Sequence, residues 1–401
     1  MSPQENIILL SAKIHPSEAE LQALNAQIEL VHDWELVTRN LTERGMAPLF
    51  YTKLPKLSNR TLIPTVSYGH LKQVYYRTLT RGMMLYEVFR RVADAFTLNG
   101  IRVVALKGVH LAEWLYQDIG LRQFSDIDLL VRKEDAEKCM KILRDMGFVQ
   151  SGDEVSQLIM EKSGIIHYPA MVMNDISVEI HINLNRPGKA EHLDVRKFIH
   201  CAEPLVINHS RVHVLELYDL LIFLCVHLEK HFQSGELQFT CFSDLTNLLD
   251  IRYDEIDWQK LEIRSKLSRV EKTVYKNLYL VHKYFHARMP QAVADQYSKY
   301  LQVHDEELFL DYLNGFRYYS LGFSTHMENI GRTMGIWQKL RYFALVAYPP
   351  RKFMVQSFRI KHPELFWLYY PARHWKGLRG MWKMVSFRAK TRKMMNDENK
   401  D

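Results

Sequence analysis

Apolar residues recur at helical spacing near the start of the chain. Leu21, Leu24, Ile28 and Val31 fall three or four positions apart, and residues 18–54 read as amphipathic helices. Gly45 and Pro48 interrupt that pattern, and Pro55 and Pro64 mark a loop. A long helix is expected over about residues 68–98, stopped by Asn99-Gly100. The texture then changes. Residues 101–106 (IRVVAL) are short, apolar and β-branched, which predicts a buried strand, and Lys107-Gly108 ends it before a helical pattern over 109–116. A loop through Asp118, Gly120 and Arg122 leads to DIDLLV at 126–131, a second strand. Residues 133–146 predict an amphipathic helix closed by Gly147, and 165–173 with 176–182 predict a hairpin across Asn174-Asp175. From residue 216 the pattern is helical again, over 217–232, 239–249, 258–265 and 270–285.

These segments divide the chain into an N-terminal helical region (1–98), a mixed α/β unit (99–205), a helical domain (206–330) and a tail (331–401). With 401 residues, 47% hydrophobic and 25% charged, the composition is globular and the length suits two or three domains. The net charge of +7 is unevenly spread, because the segment from Gly331 onward carries 16 Lys/Arg against 4 Asp/Glu. That basic tail interleaves Arg351, Arg373, Lys376 and Arg379 with Phe358, Trp367 and Trp375. It reads as a helical subdomain with an aromatic core, as a segment for an anionic membrane surface, or as an RNA-binding surface. The first twenty residues lack a basic stretch followed by a long apolar run, and the longest apolar stretch, 220–226, is too short to span a bilayer. Four cysteines without a CxxC pair fit a reducing compartment. A cytoplasmic protein is therefore expected, with peripheral association at the inner face of the membrane left open by the tail.

The chemistry concentrates in the mixed unit. On a strand, Asp126 and Asp128 project to one face, while Ile127, Leu129 and Val131 turn into a core. Two adjacent carboxylates repel unless a cation lies between them, and Mg²⁺ suits hard oxygen ligands. Glu179 and His181 alternate with Val178, Ile180 and Ile182 in the same way. If that strand lies beside DIDLLV, three carboxylates converge and can hold two metal ions. Lys107 and Gly108, between a strand and a helix, suit the phosphate end of a nucleotide. Arg122, four residues before Asp126, either reaches phosphate or pairs with an acid to hold the loop.

The run LKGVHLAEWLYQDIGLRQFSDIDLLV (106–131) resembles the nucleotidyltransferase superfamily pattern of a Gly-Gly or Gly-Ser, a helix and Asp-hydrophobic-Asp. It is most similar to the bacterial uncharacterised nucleotidyltransferase family, with LKG, an Arg before DIDLLV, and a later acidic-hydrophobic-His strand matched by EIHINL (179–184). The segment WELVTRNLTERGMAPLFYTKL (34–54) also resembles the family's helical N-terminal part, so the resemblance covers about residues 20–250. It implies an α+β fold: a polymerase-β-like core with a small mixed sheet, flanked by helical regions. It also implies Mg²⁺ (two ions, Mn²⁺ also fitting), an NTP such as ATP, and a hydroxyl acceptor that is a small molecule, sugar, lipid-linked group or protein. Gly108 then matches the family glycine, Asp126 and Asp128 the metal pair, and Glu179 the third carboxylate. Lys107 departs from the wider pattern, since it stands where the first glycine would be and no serine follows.

Each reading has a plainer rival. Glu179 also reads as a solvent-facing strand residue, and His181 as a structural histidine. His227 and His231 have i, i+4 spacing, but HLEKH is not HExxH and no third ligand is evident, so a histidine pair lining a cleft, with Asp244 as neighbour, is preferred to zinc. A non-catalytic nucleotide-binding protein on the same scaffold, or one working at a membrane surface or on nucleic acid, is the alternative to an enzyme.

Overall fold

The computed structural model describes residues 1–151, 166–185, 193–234, 237–315, 336–337, 340, 344, 347–349, 351–358, 360 and 362–375. The chain forms two compact units, residues 1–151 with 165–322, and residues 152–164 with 323–401.

The first unit is built on a mixed seven-stranded sheet. Its strands are β1 (Val104–Ala105), β2 (Asp126–Leu130), β3 (Val149–Gln150), β4 (Met171–Met173), β5 (Ile176–His181), β6 (Glu203–Ile207) and β7 (Ser210–Val214). They lie in the order β3-β4-β5-β2-β1-β7-β6. β2 runs parallel to β5 and antiparallel to β1, and β1 runs parallel to β7. The β4–β5 hairpin turns on Asn174 and Asp175, both left-handed at φ 50° and 62°. Short polar side chains tolerate that conformation, which matches the twist of a two-residue hairpin. The strand expected over 101–106 contracts to two paired residues.

The β6–β7 hairpin is a feature that the pattern of apolar residues did not reveal. Its turn also takes two left-handed residues, Asn208 (φ 42°) and His209 (φ 67°), and histidine is a weak turn signal. Pro204 argues against a central strand, and β6 is indeed at the sheet's edge. The helices Pro3–Ser11, Val195–Cys201, Gln291–Ser298 and Val303–Leu313 are likewise additional to those expected.

Each face of the sheet has its own core. Ile127, Leu129, Val131, Val178 and Ile180 pack with Leu85, Phe89 and Phe96 of the helix Thr65–Leu98 and with Leu143 of the helix Ala136–Asp145. On the opposite face, Val104 and Leu130 join a helical core with Leu221, Leu228, Phe242 and Leu278. Burying one such Leu or Phe contributes about 1.5–3 kcal/mol. Asp126 and Asp128 share the face of Leu130 by strand alternation, so the acidic end of β2 is turned toward the helices Leu217–Ser234 and Phe239–Ile251.

Buried polar contacts fasten the helices. Lys13 Nζ donates to His286 O at 2.7 Å and pairs with Glu20 and Asp250. The Arg44 guanidinium donates to Leu313 O at 2.8 Å, satisfying a carbonyl at the end of the helix Val303–Leu313. Among the described residues no helix is long and apolar enough to cross a membrane.

In the second unit, the described residues include the helix Arg351–Phe358 and the 3₁₀ stretch Pro363–Tyr369. Tyr370 Oη donates to Pro349 O at 2.7 Å, and Arg351 Nε to Pro363 O at 3.0 Å. Trp367 and Trp375 are exposed. Lys376 and Arg379, on which the basic-surface readings partly rest, lie outside the described residues.

Candidate active site

The parallel register of β2 and β5 sets Asp126 opposite Ser177 and Asp128 opposite Glu179. Side chains of directly paired residues stand on the same face. Asp128, Glu179 and His181 each bring a ligand atom to within 4.8 Å of the others. Asp126 lies one alternation before Asp128 at the start of β2 and is partly exposed, outside that tightest trio.

Asp128 is the hub. It is buried; His181 Nε2 is 2.7 Å from its Oδ1, and Lys107 Nζ is 3.0 Å from its Oδ2. The Lys107 contact is ionic, since Oδ2 has no well-directed hydrogen bond. Glu179 Oε2 lies 3.6 Å from both His181 Nε2 and His167 Nε2. Burial works against the Asp128 charge, yet the Lys107 ammonium and the His181 ring hold its carboxyl well below the usual carboxylate range. Glu179 is lowered too, its burial outweighed by His181 and His167. Asp126 moves the opposite way: burial, then the neighbouring Asp128 charge, raises it. Burial disfavours the charged forms of Lys107 and His181, but the carboxylates raise both above their ordinary values. Concentrated negative charge at one strand end is thus partly offset by the Lys107 ammonium and the His181 ring.

Gly108 serves close packing. A Cβ there would lie 3.0 Å from Phe124 Cδ2 and 3.4 Å from Asp126 O, so glycine lets the helix Lys107–Trp114 approach β2. The N-terminus of that helix carries no side-chain cap. Arg122 is buried and donates from Nε and a terminal nitrogen to the two oxygens of Asp244, at 2.8 and 2.6 Å. Tyr116 Oη donates to the same carboxylate at 2.9 Å. Of the two readings of Arg122, the geometry shows the ion pair. Asp244, expected beside the histidines in a cleft, is fully buried beneath Arg122. A cavity of about 560 Å³ is lined by Arg77, Thr78, Arg81, Gln123 and Ser125, the last adjoining Asp126.

His227 and His231 face each other with Nε2 atoms 3.2 Å apart. Burial, then Lys107, holds His227 well below the ordinary histidine value. Two neighbours were not legible in the sequence. Cys241 joins the histidines across a helix–helix contact, which no local spacing encodes. His167 reaches Glu179 through a register slip: Met171 pairs with Val178, but His167, not Tyr168, bridges to His181. One extra residue between those pairs turns His167 onto the acidic face.

A family model described as "Uncharacterised nucleotidyltransferase" matches residues 31–286, and the chain belongs to that family. No curated protein matches the chain. Among solved structures, the antibiotic-resistance factor ANT(2'')-Ia is similar at 10% identity, over 47% of this chain and 96% of that one, with a TM-score of 0.33.

Proposed function

We propose, on the premise of that family membership, that the chain transfers a nucleoside monophosphate from an NTP to a hydroxyl acceptor. The acceptor oxygen bonds to the α-phosphorus, the α–β phosphoanhydride bond breaks, pyrophosphate leaves and the hydroxyl proton passes to solvent. The observation that carries this reading is the parallel β2–β5 register, which sets Glu179 beside Asp128 on the face of Asp126. The donors fit a hard divalent ion: three carboxylates, one of them with a buried oxygen lacking a hydrogen bond. Mg²⁺ bound there, as one ion or two and with Mn²⁺ as a substitute, would neutralise phosphate charge and lower the acceptor hydroxyl's pKa.

The chain's own groups divide the remaining work. Asp126, Asp128 and Glu179 hold the cation. His181 orients Asp128 through Nε2 and so acts as a positioning residue. Lys107 and the uncapped helix start beside Gly108 present positive charge to the phosphates. Arg122 acts through Asp244, bracing the loop that delivers Asp126. The cavity beside Ser125 offers Arg77, Arg81 and Gln123, donors that favour an anionic group on the nucleotide or acceptor.

A second reading has one observation in its favour. Lys107 already places an ammonium 3.0 Å from Asp128, where a cation's charge is needed. A chain in which that pair persists would bind nucleotide without transferring it. Mg²⁺-dependent pyrophosphate release from NTPs, assayed with a panel of hydroxyl acceptors, separates the two. Transfer predicts release that Asp126→Asn abolishes; nucleotide binding without release from any NTP favours the binding scaffold.

A further inference from the structure

On the helical side of Lys107, two helices bring nitrogen and sulfur donors together. His227 and His231 lie one turn apart on the helix Leu217–Ser234, with Nε2 atoms 3.2 Å apart. Cys241 comes from the next helix, Phe239–Ile251, and is buried. Its Sγ and one nitrogen from each histidine all lie within 4.8 Å of one another. Bonds of about 2.1 Å to nitrogen and about 2.3 Å to sulfur place ligands of a tetrahedral Zn²⁺ about 3.5 Å apart. Side-chain adjustments of an ångström or so, on the order of ordinary rotamer relaxation, close the set. A hydrogen bond between the two imidazoles explains their separation but gives no reason for the thiol to converge on them.

The donor types decide the metal. Two imidazoles and a thiolate are borderline-soft ligands that select Zn²⁺ over Mg²⁺, whereas the β2–β5 carboxylates select the reverse. We propose that His227, His231 and Cys241 form a second metal site, distinct from the carboxylate edge, which binds Zn²⁺ with water completing the tetrahedron. Bound there, the ion fastens the helices Leu217–Ser234 and Phe239–Ile251 to each other. It thereby stiffens the wall from which Asp244 reaches Arg122.

Cobalt titration of the metal-depleted full-length chain tests this, with Co²⁺ as a spectroscopic substitute for Zn²⁺. The expected result is a signal that saturates at one equivalent, with the intense visible bands of tetrahedral Co²⁺ and a near-ultraviolet sulfur-to-cobalt charge-transfer band. Zn²⁺ should displace it stoichiometrically. Cys241→Ser should lose the charge-transfer band, and His231→Ala should weaken binding at least about tenfold. Glu179→Gln should retain both sets of bands. No charge-transfer band in the unaltered chain, its persistence in Cys241→Ser, or its loss in a folded Glu179→Gln overturns the proposal. Should Cys241→Ser fail to fold by circular dichroism, the unaltered chain and His231→Ala decide. The readout does not involve turnover, so failure of the zinc site and failure of the transferase reading remain distinguishable.

Discussion

Two regions flank Lys107, and they are built from opposite chemistry. On the strand side stand oxygen donors, Asp126, Asp128 and Glu179, set by backbone register. On the helix side stand nitrogen and sulfur donors: His227 and His231, one turn apart on their helix, and Cys241, brought to them by packing. Electrostatics follow the same division: Lys107 raises no obstacle to carboxylates, but it helps keep His227 uncharged. The contrast teaches that how a donor is positioned determines whether it can be read from sequence. Strand alternation specifies which residues share a face, whereas a helix–helix contact depends on every side chain in between.

The strut between the regions gives the largest expected effect. Arg122→Met leaves the Asp244 charge buried without its ionic partner, with only the Tyr116 hydrogen bond to it, and should lower unfolding free energy by about 3–5 kcal/mol in urea titrations. Loss of less than about 1 kcal/mol would show that the pair does not join the two sides. Next, Asp126→Asn should reduce transfer more than about 100-fold, beyond the cost typical of outer partners, with little change in melting temperature. The thermal part follows from its partial exposure and from the raised affinity of Asp126 for a proton in the folded state. His181→Gln, which affects the strand side through its contacts with Asp128 and Glu179, should cost about 10–100-fold in activity or metal affinity. Equal losses in the His181 and Asp126 variants would make His181 a ligand rather than a positioning residue.

The smallest effect is a pH slope. His110 is buried, both its ring nitrogens lack a hydrogen bond, and burial followed by Arg122 lowers its pKa to about 3. The unfolded chain therefore binds a proton between about pH 6.5 and 3 that the folded chain does not, and stability falls as pH falls across that window. His110→Phe should flatten the slope by about 1.4 kcal/mol per pH unit at its steepest, measured by denaturant titration. Asp128 and Glu179, whose folded values are depressed, lose their stabilisation only at lower pH, below the ordinary carboxylate range.

Much of the frame was legible. The long helix, the β2 and β5 strands and the Asn174-Asp175 turn each follow from a local rule of periodicity or turn chemistry. The β6–β7 hairpin was not, because Pro204 and the Asn208-His209 turn contradict the usual signals until β6 is known to be an edge strand. At the site, the shared face of Asp126 and Asp128 was readable from alternation. The partners of Arg122 and of the histidine pair were not, since Asp244 lies 122 residues from Arg122 in the chain. His167 needed a one-residue slip that no alternation rule anticipates.

The most direct test of the central claim is calorimetric titration of the full-length chain with each common NTP, with and without Mg²⁺. Saturable binding that requires Mg²⁺ and is lost in Asp126→Asn is the result that the carboxylate edge predicts. Binding equally tight without Mg²⁺, or unchanged in Asp126→Asn, would contradict it and place the nucleotide elsewhere in the fold.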